Sequence, residues 1–239
     1  MHKVALITGS AVRIGREIAK HLAKGGWDLA LHSRSLSNDI SDFSVELKSN
    51  YPGQLFFALP ADLGIIDQTY GLVKQVIERL GHLDLLVNNA SVFEPSSLKE
   101  TTSELLIRQM MVNYVSPFIL IRDFANSADH GQIINIVDAR IANDKSDYCA
   151  YSLSKKSLWE LTKMAALELA PNFRVNAIAP GAILAPAGKD VGYLEYVAFN
   201  TPMKTPSGIT SILKSIDYII GNQDLTGQLI FCDGGSHLL

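Results

Sequence analysis

The sequence predicts a single α/β domain over residues 1–239, a doubly wound parallel sheet with helices on both faces. Three observations carry that expectation. Short β-rich runs alternate with longer helical patterns, the first run is apolar at every position, and glycine-bearing turns stand where strands give way to helices. Strands separated by helices imply right-handed crossovers and parallel neighbours. In such sheets ligands lie beyond the carboxyl ends of the strands, so the polar residues that follow each strand are the ones to read.

In chain order, residues 4–7 (Val-Ala-Leu-Ile) form the first strand. From Ile14 onward Ile18, Ala19, Leu22 and Ala23 recur at helical spacing, and Gly25-Gly26 supplies the stop. Residues 28–32 and 54–59 read as the second and third strands, and Asp67 caps a helix that runs to Leu80 and ends at Gly81. Residues 83–87 form a fourth strand, followed by a long helical pattern over 103–126. A fifth strand at 133–137 leads to a helix over 149–170, and strands at 173–178 and 228–232 complete the set. Two consecutive βαβαβ halves make a dinucleotide-binding, Rossmann-type architecture. Residues 181–208 lack periodicity and carry Pro186, Gly188, Gly192, Pro202 and Pro206, which predicts an irregular substrate-side cover.

Composition bounds the function. Of 239 residues 47% are hydrophobic and 19% charged, with a formal net charge of −3 and both signs scattered, which argues against a nucleic-acid or anionic-membrane partner. No apolar run approaches the ~18–20 residues of a membrane helix. The opening stretch is too short for a signal-peptide core, so a cytoplasmic location is expected. Cys149 and Cys232 make neither a disulfide framework nor a zinc site, and the histidines show no metal spacing.

The first strand runs into Thr8-Gly9-Ser10-Ala11-Val12-Arg13-Ile14-Gly15. Gly9 permits a tight turn and the following helix N-terminus favours a phosphate, although a plain turn has the same look. Arg13 stands where a dinucleotide loop usually has its middle glycine, and its guanidinium can reach phosphate oxygens or an aromatic ligand. At the end of the second strand an acidic residue would mark NAD, but the sequence there is His32-Ser33-Arg34-Ser35. Arg34 with its serine neighbours suits a 2′-phosphate, which favours NADPH.

Tyr151 and Lys155 are four residues apart at the front of the helix after the fifth strand, which puts phenol and ammonium on one face. A nearby cation is expected to lower the phenol pKa from its ordinary value near ~10 and make proton exchange feasible. Tyr148 lies close by but has no lysine four residues on.

Together these features resemble the short-chain dehydrogenase/reductase family over nearly the whole chain. Asn88-Asn89-Ala90 is similar to the family's Asn-Asn-Ala-Gly, with Ser91 in place of the last glycine. Asp62-Leu63 matches the pair beside the adenine, Asn113 the helix asparagine that supports the proton relay, and Pro180-Gly181, with Ile183 after it, the turn against the nicotinamide. The resemblance implies that Gly9, Arg13, Ile14, His32 to Ser35, Asp62, Leu63, Asn89, Ala90, Tyr151, Lys155, Pro180, Gly181 and Ile183 contact the cofactor. Three departures resemble one branch, the pteridine and dihydromonapterin reductases: Arg13 in the glycine loop, Ser91-Val92-Phe93 after the Asn-Asn-Ala turn, and Asp138 about where other members carry a catalytic serine.

The resemblance implies NADPH-dependent reduction of a C=N bond in a pterin of the dihydromonapterin, dihydrobiopterin or dihydrofolate type, by a homotetramer. A ring nitrogen must then be protonated, and Asp138, Tyr151, Lys155 and Asn113 are the candidates to manage that proton. Arg13, Ser91, Phe93, Asp138 and Tyr151 are the candidate substrate contacts, with Phe93 stacked on the flat ring. Plainer readings stand beside these: Asp138 as a turn cap, Phe93 as packing, Arg13 as a phosphate contact only. The competing function is a carbonyl reductase of 3-oxoacyl thioesters or small ketones.

Overall fold

The computed structural model describes residues 2–184 and 191–239. Seven parallel strands form one sheet in the order β3-β2-β1-β4-β5-β6-β7: β1 (Val4–Ile7), β2 (Asp28–Ser33), β3 (Phe56–Pro60), β4 (Leu85–Asn88), β5 (Gly131–Ile136), β6 (Phe173–Pro180) and β7 (Leu229–Cys232). The order reverses between β1 and β4, and a crevice opens at that switch point beyond the strand ends. The helices between them are α1 (Arg13–Lys24), α2 (Asn38–Asn50), α3 (Ile66–Thr69), α4 (Leu72–Leu80), α5 (Ser103–Met110), α6 (Ser116–Ser127), α7 (Cys149–Glu168), α8 (Val191–Phe199) and α9 (Ile209–Gly221).

Strand side chains alternate between two cores, because the strand period is two. Val4 and Leu6 of β1 join the core under α4, α6 and α7, with Val76, Phe124 and Leu158. Ala5 and Ile7 join the opposite core under α1, α2 and α9, with Leu22, Phe43 and Ile216. Arg174 of β6 closes one end of the second layer, donating to the carbonyls of Ile219, Ile220 and Leu225 where α9 stops. Among the described residues no helix is long and apolar enough to cross a membrane.

The doubly wound parallel sheet is as expected, and the sequence reading needs four corrections. It placed no helix at 38–50 or 209–221, yet Ile40, Phe43 and Leu47, and Ile212, Ile216 and Ile219, lie buried at helical spacing. The helix expected from Asp67 breaks at Gly71, whose φ of 78° is left-handed, leaving the short α3 and then α4. The helix over 103–126 contains a wide π turn at Met111–Val115. The irregular cover over 181–208 contains α8, and its residues 185–190 lie outside the described residues.

Candidate active site

A cleft of about 870 Å³ lies beyond the carboxyl ends of β1 to β6. Every residue proposed from sequence for cofactor, substrate or catalysis lines it except Asn113.

At the nucleotide end the loop after β1 is shaped by backbone. Gly9 has φ 65°, and a Cβ on it would lie 2.9 Å from Ala90 Cα, while a Cβ on Gly15 would lie 2.2 Å from the Gly9 carbonyl oxygen. Only glycine fits either place. Arg13 also takes a left-handed conformation, φ 54°, which accounts for the glycine usual at that position. Its Nη2 donates to the Leu184 carbonyl at 3.2 Å, across the cleft mouth. Thr8 Oγ1 accepts from the N–H groups of Asn89 and Ala90, both at 2.9 Å, and the Asn89 amide donates back to the carbonyls of Thr8 and Gly9. The turns after β1 and β4 are thereby bolted together.

His32 is the second brace. Its Nδ1 accepts from the Gly9 N–H at 3.1 Å, which leaves Nε2 to donate to the Ala61 carbonyl at 3.0 Å. Burial pushes its pKa down to about 4, against the opposing pull of the Ala61 carbonyl and the Asp62 charge, so the ring is neutral at pH 7. Both ring nitrogens are thus spent on backbone. Ser33 donates to the Ser35 carbonyl at 2.9 Å, and Arg34 and Ser35 stand exposed on the rim.

This end fits a dinucleotide. No side chain caps α1, and its first residues line the cleft, so N–H groups of its first turn are available to a phosphate. The Arg34 rim offers the only side-chain cation among residues 32–37, and no carboxylate stands there to repel a 2′-phosphate.

At the chemical end Tyr151, near the start of α7, donates from its hydroxyl to Asp138 Oδ2 at 2.8 Å. The other carboxylate oxygen, Oδ1, accepts from the Arg140 N–H at 2.8 Å and caps the 3-10 turn Ala139–Ala142. Cap and tyrosine partner were alternatives for Asp138 in the sequence; one carboxylate serves both. Burial raises its pKa, against the Arg140 N–H, the Tyr151 hydroxyl and the charges of Lys155 and Arg140. Lys155, fully enclosed, donates from Nζ to the Ile136 carbonyl at 2.8 Å, and burial lowers it to about 8 against the pull of Asp138.

The expected lowering of the tyrosine pKa does not occur. Burial and then the Asp138 charge and hydrogen bond raise Tyr151 well above its ordinary value, with only Arg140 and the Ser91 hydroxyl pulling back. The Lys155 ammonium, 5.9 Å from the centre of the ring, is turned to a carbonyl. Tyr151 in this site is a protonated phenol.

Asn113 sits in the π turn, fully buried, outside the cleft. Its Oδ1 accepts from the Val92 N–H at 2.9 Å and the Ser91 hydroxyl at 3.1 Å, and its Nδ2 donates to Ser154 Oγ at 3.0 Å. It ties the turn after β4 to α7. Phe93 is stacked on Tyr148, ring centres 4.3 Å apart and 5° from parallel, and meets Tyr151 edge to face at 4.7 Å. The cleft is also lined by Ser37, Arg108, Arg140, Asn143, Lys145, Tyr193 and Val197, which the sequence reading did not single out. They sit on the helix and loop rims, where no spacing rule reaches; only Arg140, two residues after Asp138, had a neighbour to flag it.

The short chain dehydrogenase family model matches residues 3–193. A solved structure described as FolM alternative dihydrofolate reductase 1 from Brucella canis, complexed with NADP, superposes with a TM-score of 0.91 at 32% identity, over 99% of this chain and 95% of that one. A dihydromonapterin reductase from Citrobacter koseri is 27% identical over 98% of this chain and 96% of its own. An L-2,3-butanediol dehydrogenase from Corynebacterium glutamicum is 30% identical over 98% of each. With its sheet, its glycine loop and its Tyr151–Lys155 pair in place, the chain belongs to the short chain dehydrogenase family, a family of oxidoreductases.

Proposed function

We propose that the protein reduces a pterin, of the dihydromonapterin, dihydrobiopterin or dihydrofolate type, with NADPH. The observation that carries this reading is the carboxyl group of Asp138 on the Tyr151 hydroxyl, where a ketone-reducing site would need only a hydroxyl. Relatives named for pterin and dihydrofolate reduction support it, and the NADP of the solved relative supports the cofactor. The α1 N-terminus, Gly9, Arg13 and Ile14 would take the pyrophosphate, Arg34 and its serines the 2′-phosphate, Asp62 and Leu63 the adenine. Asn89, Ala90, Pro180, Gly181, Ile183 and Lys155 would border the nicotinamide end.

NADPH bound there supplies a hydride to the carbon of a ring C=N bond. The chain supplies the proton to the nitrogen. As the site stands, the Tyr151 proton points at Asp138, away from a substrate. Only one hydrogen fits between two oxygens. When Asp138 is protonated the carboxyl becomes the donor, and the phenol proton is released to the ring nitrogen. Burial of Asp138 keeps that acid form populated at higher pH than an ordinary carboxyl would. Phe93, with one face against Tyr148, offers its other face to a flat ring.

The residues of 181–208 that the structure describes put Tyr193 and Val197 of α8 on the cleft wall, which supports a role as substrate cover. We place the enzyme in the cytoplasm as a homotetramer, packed through its long helices; the exposed Ile107 and Phe118 of α5 and α6 and Met164 and Leu167 of α7 support that packing. The test of the function is NADPH oxidation by the purified protein with dihydromonapterin, dihydrobiopterin, dihydrofolate and acetoacetyl thioester. Turnover of a pterin is expected. Turnover of the thioester alone would return the protein to carbonyl reduction.

A further inference from the structure

Between Asp138 and Tyr151 the chain carries a cation to which the reaction above gives no part. The backbone N–H of Arg140 holds Asp138 Oδ1, while its guanidinium lies over the Tyr148 ring, 4.4 Å from the centre. Phe93 is stacked on the same ring at 4.3 Å. Two groups at such distances cannot share one face, so Tyr148 is sandwiched between them. The outer ring, Phe93, then presses edge to face on Tyr151, whose hydroxyl returns to Asp138. The circuit of contacts begins and ends on one carboxylate.

Tyr148 cannot slide out of this stack. The Ser96 N–H donates to the Asp147 carbonyl and the Cys149 N–H to the Ser96 carbonyl, gripping the backbone on either side of it. Arg140 Nη1 meets Asp147 Oδ1 at 3.0 Å, which closes the loop from 140 to 147 over the same ring. An arginine suits this place because a planar guanidinium both stacks and keeps an in-plane ion pair.

We propose that Arg140 is a positioning residue for the reduction: it holds the Tyr148–Phe93 platform in register against Tyr151, and its charge biases the Asp138–Tyr151 pair toward its ionised forms. The groups facing that pair are the Lys155 ammonium of α7, the Ser91 hydroxyl after β4, and the Arg140 N–H and guanidinium, the last opposed by Asp147 at its far side. Among them the Arg140 guanidinium favours the ionised form of both partners, against burial. Its removal therefore moves both titrations upward. The proposal rests on the pterin reading for its assay substrate, its proton path and the flat ring against Phe93, but not for the Asp138 titration.

Arg140→Met and Arg140→Lys separate the two duties, since both keep the backbone N–H on Asp138. Methionine keeps an apolar layer over Tyr148 without the charge; lysine keeps the charge without the plane. With the pterin that the wild type turns over, Arg140→Met should move the basic limb of the kcat profile up by about half a pH unit. Arg140→Lys should leave the limb in place and raise KM about threefold, the loss of a stacked cation. A merely structural residue would lower kcat in both variants with the profile unmoved.

A second readout needs no substrate: the Asp138 carboxyl resonance of ¹³C-labelled protein, assigned by its absence in Asp138→Asn, should titrate at higher pH in Arg140→Met than in the wild type. If no pterin is turned over, the substrate reading falls and the titration alone decides the role of Arg140. An Asp138 titration unmoved in Arg140→Met overturns its electrostatic duty, and a KM unmoved in Arg140→Lys overturns the platform.

Discussion

The two ends of the cleft are built differently. At the nucleotide end side chains serve backbone: Thr8, His32 and Asn89 spend their polar atoms on the N–H and carbonyl groups of neighbouring turns. At the chemical end backbone contacts persist at Lys155 and Asp138, but side chains also engage each other: Tyr151 holds Asp138, Phe93 lies on Tyr148, and Arg140 lies over the same ring. The first arrangement fixes the shape of the turns that line one end of the cleft. The second is open to a change of chemistry by one substitution, and in the proposed reading the Asp138 carboxyl is the group that such a change would exchange.

If that contrast is right, changes at the chemical end cost rate and changes at the nucleotide end cost stability or cofactor choice. The largest effect is expected for Tyr151→Phe. It removes the phenol proton that the proposed path delivers while leaving the ring packed on Phe93, and kcat should fall about 10³-fold with the melting temperature little changed. Activity of the wild type should also decline as pH rises through the raised pKa of Asp138, because only the acid form frees the Tyr151 proton; a rate that rises over that range would contradict this proton path.

Next in size is His32. Its pKa falls from 6.5 in the unfolded chain to about 4 in the folded one, so it supports stability above pH 6.5 and withdraws that support as pH falls toward 4. The full loss is on the order of 3 kcal/mol. A His32→Gln variant keeps an acceptor and a donor but does not titrate, so its melting temperature should fall less than that of the wild type between pH 6.5 and 4. Parallel curves would mean that His32 is no brace.

A smaller effect is expected at the rim. Arg34→Glu replaces a charge-assisted contact with a repulsion, and should weaken NADPH about 30-fold while sparing NADH. Equal losses for both cofactors would put the 2′-phosphate elsewhere.

The same contrast explains what the sequence disclosed. Gly9 was legible because the tight turn after β1 calls for a residue that takes a left-handed backbone, and Tyr151 and Lys155 because one helix sets their spacing. The left-handed backbone of Arg13 was not, since residue type does not declare it. Nor was the direction of the Tyr151 shift: spacing put a cation on its face, but packing turned that cation to Ile136 and set a carboxylate on the phenol instead. The stack of Arg140 on Tyr148 was not legible either, because Tyr148 is itself placed by Phe93, some 50 residues earlier in the chain. Helix α8 escaped for a different reason, being apolar on nearly every side and so without a period.

The most direct test of the account exchanges the one group on which it turns. Wild type and Asp138→Ser are to be assayed with NADPH against a dihydropterin and acetoacetyl thioester, with NADPH affinity measured in parallel. The serine variant should lose pterin turnover about 100-fold while binding NADPH as before. Pterin turnover that survives the serine, or thioester turnover that was already dominant in the wild type and improves with it, would mean that Asp138 does not carry the proton to a pterin.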